Sequence, residues 1–319
     1  MPPKAIVPVR RRTLWVDAAA GNDSSGQPGD STKPYATCEA AQEAAGRGDT
    51  ILVMAGNYTA CNLGKDGVNW EMHAGATFLP GDGCALFSNA GNSLSFDITG
   101  SAEVLNGLAF NLEGSSGLVT ARFGRISAGV TVIASKLHLD IADSYSGEAL
   151  FFDWSDVSFR CRAMENGTII INNVSTDPIN VRIFADTMTN VGVYQDIGGG
   201  RQAGRTDFYV RYLTGPDTTD GTSKGYALMV NDGHFMAHNC EIRNGAANKL
   251  VGMDPGARLI MKDCAILGSP ETVYAVDRDG FTFNDVVRII GTLTSNRPLE
   301  PGLSPYWGGQ FVYDPEISF

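Results

Sequence analysis

Asp232 and His234 fall together in Asn231-Asp232-Gly233-His234, with Arg243 nearby, and no other stretch comes as near to a hydrolytic site. The set supplies one carboxylate, one imidazole and one guanidinium. Inverting glycoside hydrolysis needs two carboxyl groups about 6.5–9.5 Å apart, and one acid cannot do both jobs. Asp232, His234 and Arg243 are therefore candidates only. His234 reads as a turn residue, and His73, His138 and His238 read as lone surface or corner positions. Arg122 and Arg125 flank Gly124 with no acidic partner close in sequence.

Binding a glycan without cleaving it asks for less: a shallow groove, aromatic faces and hydrogen-bonding groups. In Asp207 to Leu213 (DFYVRYL), strand alternation puts Asp207, Tyr209 and Arg211 on one face and Phe208, Val210 and Tyr212 on the other. The second set reads as core, which leaves the first outside. Asp207, Tyr209, Trp154 and Tyr194 are the glycan-contact candidates, with Tyr145 as a further aromatic.

Six cysteines carry a spacing rather than a ligand motif. Cys38, Cys61 and Cys84 are 23 residues apart, and Cys240 and Cys264 are 24 apart, with Cys161 between the groups. Equal spacing suggests like positions on stacked coils, holding free, buried thiols. No C-x-x-C or Cys/His constellation exists, so neither a metal nor a cofactor is expected.

The elements that must position these residues are clearest from Leu14 to Thr59. A short apolar run is followed by a Gly/Asp/Ser/Pro loop and then by an alanine-rich helix over Ala36 to Ala45, with Thr37 as N-cap and Glu39 in its first turn. Gly46 and Gly48 end the helix, and Gly48-Asp49-Thr50 turns the chain into the strand Ile51 to Met54. From Val16 through Tyr58 this succession resembles the first coil of right-handed parallel β-helix proteins, the pectate-lyase-like superfamily. Its pattern is V-D-x-x-x-G-N-D, then P-(Y/F)-x-T, then A-x-x-A-A-x-x-G-D-T-I-x-V-x-x-G-x-Y. The resemblance implies an all-β protein, a right-handed parallel β-helix solenoid with a short N-terminal capping helix.

Beyond Tyr58 short apolar runs alternate with Gly, Asn, Asp and Ser. Val68 to Met72, Thr77 to Leu79, Leu94 to Ile98, Val104 to Leu112 and Leu118 to Phe123 read as strands. A period near 23 predicts on the order of ten coils, interrupted by insertions at Asp140 to Glu148, Gln195 to Thr206 and Gly215 to Gly225. Asn173, Asn239, Asp263 and Asp285 recur at similar positions and are expected to hold corners as a polar ladder.

The chain divides into an extended basic arm (1–13), the solenoid (14–296) and a Pro/aromatic tail or cap (297–319). Lys4, Arg10, Arg11 and Arg12 in the arm, with Tyr306, Trp307 and Tyr313 in the tail, are the assembly candidates. Net charge is −11, which disfavours nucleic acid. No apolar run approaches the roughly 20 residues of a membrane span, and the N-terminus has no apolar signal core. The fold without a secretion signal, with terminal arms outside it, resembles bacteriophage tail spike and fibre proteins. That likeness implies a non-enzymatic homotrimer in a virion, attached to other particle proteins through its arms and contacting host-surface glycans. The alternative is a polysaccharide lyase or glycoside hydrolase of the same superfamily, acting outside the cell. Its hydrolases carry Asn-x-Asp, Asp-Asp, Gly-His-Gly and Arg-Ile-Lys motifs, of which Asn231 to His234 and Arg243 are a partial match. A third reading is an adhesin-like cell-surface solenoid.

Overall fold

A computed structural model describes residues 11–59, 62–79, 96–105, 108–111, 118–133, 136–147, 149–153, 156–172, 179–196, 204–217, 225–231, 233–247, 249–253, 257–278, 286–300 and 309–317. All strand pairings among these residues are parallel, and strands within the stack pair with a strand of the preceding and of the following coil. The protein is an all-β parallel solenoid with three faces.

Face one begins with Thr13–Val16, Thr50–Val53, Asn69–Met72, Phe96–Gly100 and Leu118–Phe123. It continues through the first parts of the long strands Lys136–Tyr145, Asp156–Asn172, Asn180–Asp196 and Arg205–Thr214. His234–His238 and the first parts of Arg258–Leu267 and Val286–Ser295 complete it. Face two follows each of these after a corner and ends in Gln310–Tyr313. Face three runs from Leu108–Asn111 through Val130–Ile133 and Ala149–Asp153 to Val276–Arg278.

Alternation makes one side of each strand apolar, and register turns those sides into continuous interior rows. On face one a single row passes through Leu14, Ile51, Trp70, Ile98, Ala121, Leu139, Phe159, Ile183, Phe208, Ala237, Met261 and Ile289, all of them buried. Each coil thus finds apolar partners only in its two neighbours, which is how a solenoid of this length holds one core.

The N-terminal end is closed by the helix Cys38–Ala44. Thr37 caps it, accepting from the Ala40 amide at 3.3 Å, and Asp23 holds the cap by accepting from the Ala36 and Thr37 amides and the Thr37 hydroxyl. Arg12, expected in a free arm, instead donates through its amide, Nε and Nη2 to Asp49, so the ordered body starts before Thr13.

Register corrects several sequence expectations. The insertion expected from Asp140 to Glu148 amounts, within the strand Lys136–Tyr145, to a register shift of one residue between Ile141 and Ser144. The Val104 to Leu112 run is divided between faces two and three, as Glu103–Val104 and Leu108–Asn111. Tyr212, expected inside, is 41% exposed because the corner after Val210 resets the alternation. Gln310–Tyr313, placed in the tail, adds a parallel strand beside Val286–Ser295. Cys240 and Cys264 do occupy like positions on adjacent coils, whereas Cys38 lies in the capping helix; Cys61 and Cys84 fall outside the described residues.

The polar corners are real but differently aligned. Asn239 and Asp263 are left-handed at φ 48° and 51°, and the next coil turns at Gly291 (φ 70°), since Val286 pairs with Arg258. Asn173 and Asp285 lie outside the described residues. A second corner, unforeseen, stacks Asn166 on Asn190, both left-handed, with Asn190 donating to Asn166 Oδ1 at 2.8 Å.

Candidate functional site: a cationic face with an aromatic column

The outward positions of face one, aligned by the same register, run down the solenoid as side-chain columns. One column reads Arg122, Asp140, Arg160, Phe184, Tyr209, His238, Lys262, Ile290. An open groove of about 540 Å³ follows its first half, lined by Arg122, Asp140, Arg160 and Tyr209 together with the corner residues Arg162 and Asp186. Coil spacing near 4.8 Å matches ring stacking, and three rings here are stacked. Phe184 and Tyr209 have centroids 4.9 Å apart and planes 5° apart, and Tyr209 and His238 are 4.2 Å and 14° apart. The Arg160 guanidinium sits 5.1 Å over the other side of Phe184.

This arrangement decides what the aromatics can do. Tyr209 has Phe184 against one ring face and His238 against the other, so it offers a ligand its edge and hydroxyl, not a stacking platform. Tyr209, a glycan-contact candidate, is thus presented edge-on at the surface. Asp207, the outward position before Tyr209 on the strand, is committed to its neighbours: Oδ1 accepts from Arg205 Nε at 2.9 Å and Nη2 at 2.7 Å, and lies 3.3 Å from His238 Nε2.

Charge is what the face offers in quantity. Its outward positions from Leu118 onward include Lys136, Arg122, Arg160 and Arg182, and then Arg205, Arg258, Lys262 and Arg288: eight cations. They are met by three carboxylates, Asp140, Asp156 and Asp207. Arg122 pairs with Asp140 at 3.6 Å and Arg205 with Asp207, while Arg160, Arg182, Lys262 and Arg288 have no ion pair among the described residues. A chain of net charge −11 thus gathers a third of its 24 Lys and Arg on one flat surface.

The other sequence candidates are dispersed. His234 is in a face-one strand, not a turn, and its Nε2 lies 3.2 Å from Arg258 Nη1; Arg243 is on face two, where it donates to Glu241 at 2.7 Å. The structure therefore does not bring His234 and Arg243 together, and Asp232 lies outside the described residues. Tyr194 is on face three, within 3.5 Å of Asp196, and Tyr145 is a core residue whose hydroxyl donates to the Ala149 carbonyl. Trp154, Lys4, Arg10, Tyr306 and Trp307 lie outside the described residues. Arg11 is exposed beside Gly48, and Tyr313 is half-exposed on the last face-two strand.

Sequence reading missed Arg160 and Phe184 and took His238, which meets Tyr209 and Asp207, for a lone position. Their signal was the recurrence of polar or aromatic residues at outward positions of successive coils, visible only once the register is known. No protein-family model, curated protein or solved structure matches the chain. Fold and site together define a parallel β-solenoid with a cationic face; the pectate-lyase-like and tail-spike likenesses rest on the sequence pattern alone.

Proposed function

We propose that this protein is a non-enzymatic attachment solenoid whose face one binds an anionic surface polysaccharide lying along the coils, as a host-attachment component of a virus particle. The observation that supports it is the segregation of eight cations onto one face of an acidic chain. Cations repeated at coil spacing over a flat sheet suit an extended polymer carrying carboxylates or sulfates at regular intervals, and the surrounding negative charge disfavours bulky duplex nucleic acid. The virion setting draws on the sequence likeness and is the finer part of the proposal.

The test is calorimetry with an oligogalacturonate and, as neutral control, a dextran oligomer. Micromolar binding of the acidic oligomer only is expected, weakened at least about tenfold by the double substitution Arg160→Ala/Arg182→Ala, in keeping with the loss of two charged contacts. Equal binding of both oligomers, or of neither, would refute the reading. For the virion setting, deletion should stop at residue 10, because Arg12 belongs to the folded end. Loss of the truncated protein from purified particles, with its melting temperature unchanged, is the expected result.

A hydrolase or lyase is the second reading, favoured by the Asp207–His238 contact on the same face. Reducing-end or unsaturated-product release from the bound polymer, abolished by Asp207→Asn, would establish it.

A further inference from the structure

Asp207 Oδ1 is claimed twice: by the Arg205 guanidinium and by His238 Nε2. From this shared acceptor we infer a proton-operated gate on face one, in which protonation of His238 transfers Asp207 from Arg205 to the imidazolium and frees Arg205 for an anionic ligand. The inference rests on the reading of face one as a polyanion-binding surface and adds its regulation.

The geometry supplies each part. Arg205 is at the rim, with its side chain 54% exposed, whereas Asp207 and His238 are 14% and 10% exposed. The two inner partners therefore neutralise each other out of water, where their attraction is least screened, while the outer one is left facing solvent. With His238 neutral, Arg205 and Asp207 form a closed pair of no net charge. Adding a proton gives the cluster one net positive charge, and only its outermost member can meet a ligand.

His238 is also held in place regardless of its charge. Tyr209 stacks on its ring with centroids 4.2 Å and planes 14° apart. The other charged or titratable groups around it are Arg205 on the preceding coil, Lys262 and Arg258 on the following one, and His234 on the same strand. Asp207 is the carboxylate in contact with the ring among the described residues. Imidazoles change charge between about pH 5 and 8, while uronates stay ionised there, so any change in affinity over that range belongs to the protein.

The experiment measures oligogalacturonate affinity of the full chain at pH 7.5 and pH 5.5, together with the His238 ring resonances by NMR. Binding at least about fivefold tighter at pH 5.5 is expected, with its midpoint at the His238 titration. His238→Phe keeps a ring in the stack and removes the proton, so its affinity should be the weak, pH 7.5 value at both pH values. Asp207→Asn should leave Arg205 free at all times and bind tightly at both. His73→Gln, just past the early strand Asn69–Met72 and outside the cationic set, should keep the wild-type response. The gate is overturned if His238→Phe retains the pH response, or if wild type binds equally well at both pH values; in either case the polyanion reading survives. Absence of binding at both pH values overturns the gate and the polyanion reading together.

Discussion

Asp49 is 2% exposed, yet it carries the connection between the first strand, the end of the capping helix and the second coil. Burial alone would raise its pKa. Donation from the Arg12 side chain, then from the Gly46 and Arg12 amides, together with the Arg12 charge, outweighs burial and holds the carboxyl below its ordinary value. The folded protein therefore binds this proton less readily than the unfolded chain, where a carboxyl titrates near about 3.9. Ionised Asp49 contributes stability that is complete above that value and is lost as pH falls through the lower, folded one. Melting followed from pH 7 to pH 2 should show Asp49→Asn less stable at neutral pH by about 1.5–3 kcal/mol, with a smaller loss below pH 4 than wild type. At the same scale, burial pushes the Cys161 and Cys264 thiols up to about 12 and about 11, and those of Cys38 and Cys240 upward as well. These four should resist alkylation at pH 8 until the protein unfolds, as labelled-peptide mass spectrometry would record.

Corners are the elements on which the coils turn, and they are held by residues chosen for left-handed backbone. Asn190, at φ 55°, donates to Asn166 on the coil before and accepts from the Asp217 amide on the coil after. An L residue without a local polar side chain loses about 1–2 kcal/mol in that conformation. Asn190→Ala should therefore destabilise by about 2–3 kcal/mol, the conformational cost plus about 1 kcal/mol of lost hydrogen bonding. Asn190→Gly, which keeps the backbone and loses only the side-chain bonds, should cost about 1 kcal/mol. Equal urea midpoints for the two variants would refute the role of backbone conformation. The capping helix was legible because Thr37, the alanine run and Gly46 each act within a few residues. Asn166 and Asn190 were not, because an Asn takes the left-handed conformation in many loops and only its partner on the next coil marks it as a ladder.

Over the whole molecule the unequal charge distribution matters more than the total. A net charge of −11 argues against polyanions, whereas the local charge of face one argues for them. The Debye length of about 8 Å at physiological salt is shorter than the width of the solenoid, so a ligand on face one is governed mostly by the cations beneath it. Raising salt from about 0.05 to 0.5 M should weaken oligogalacturonate binding by tenfold or more. A salt-independent affinity would show that charge is not the recognition element.

The sequence by itself determined the features that act locally: strand alternation, the helix with its Thr37 cap and the Gly48-Asp49-Thr50 turn; the parallel coil architecture was implied by the resemblance of their order to a β-helix first coil. Burial enforces these, since a misplaced residue in the row from Leu14 to Ile289 would put a polar group in the core. Tertiary structure alone decided which outward residues are neighbours. Nothing in the core constrains an outward position, so Arg160, Phe184, Tyr209 and His238 show no common residue type, and coils of unequal length hide their alignment. They meet because parallel strands fix register through backbone hydrogen bonds, and that register places residues two dozen or more apart in sequence within one side chain's reach.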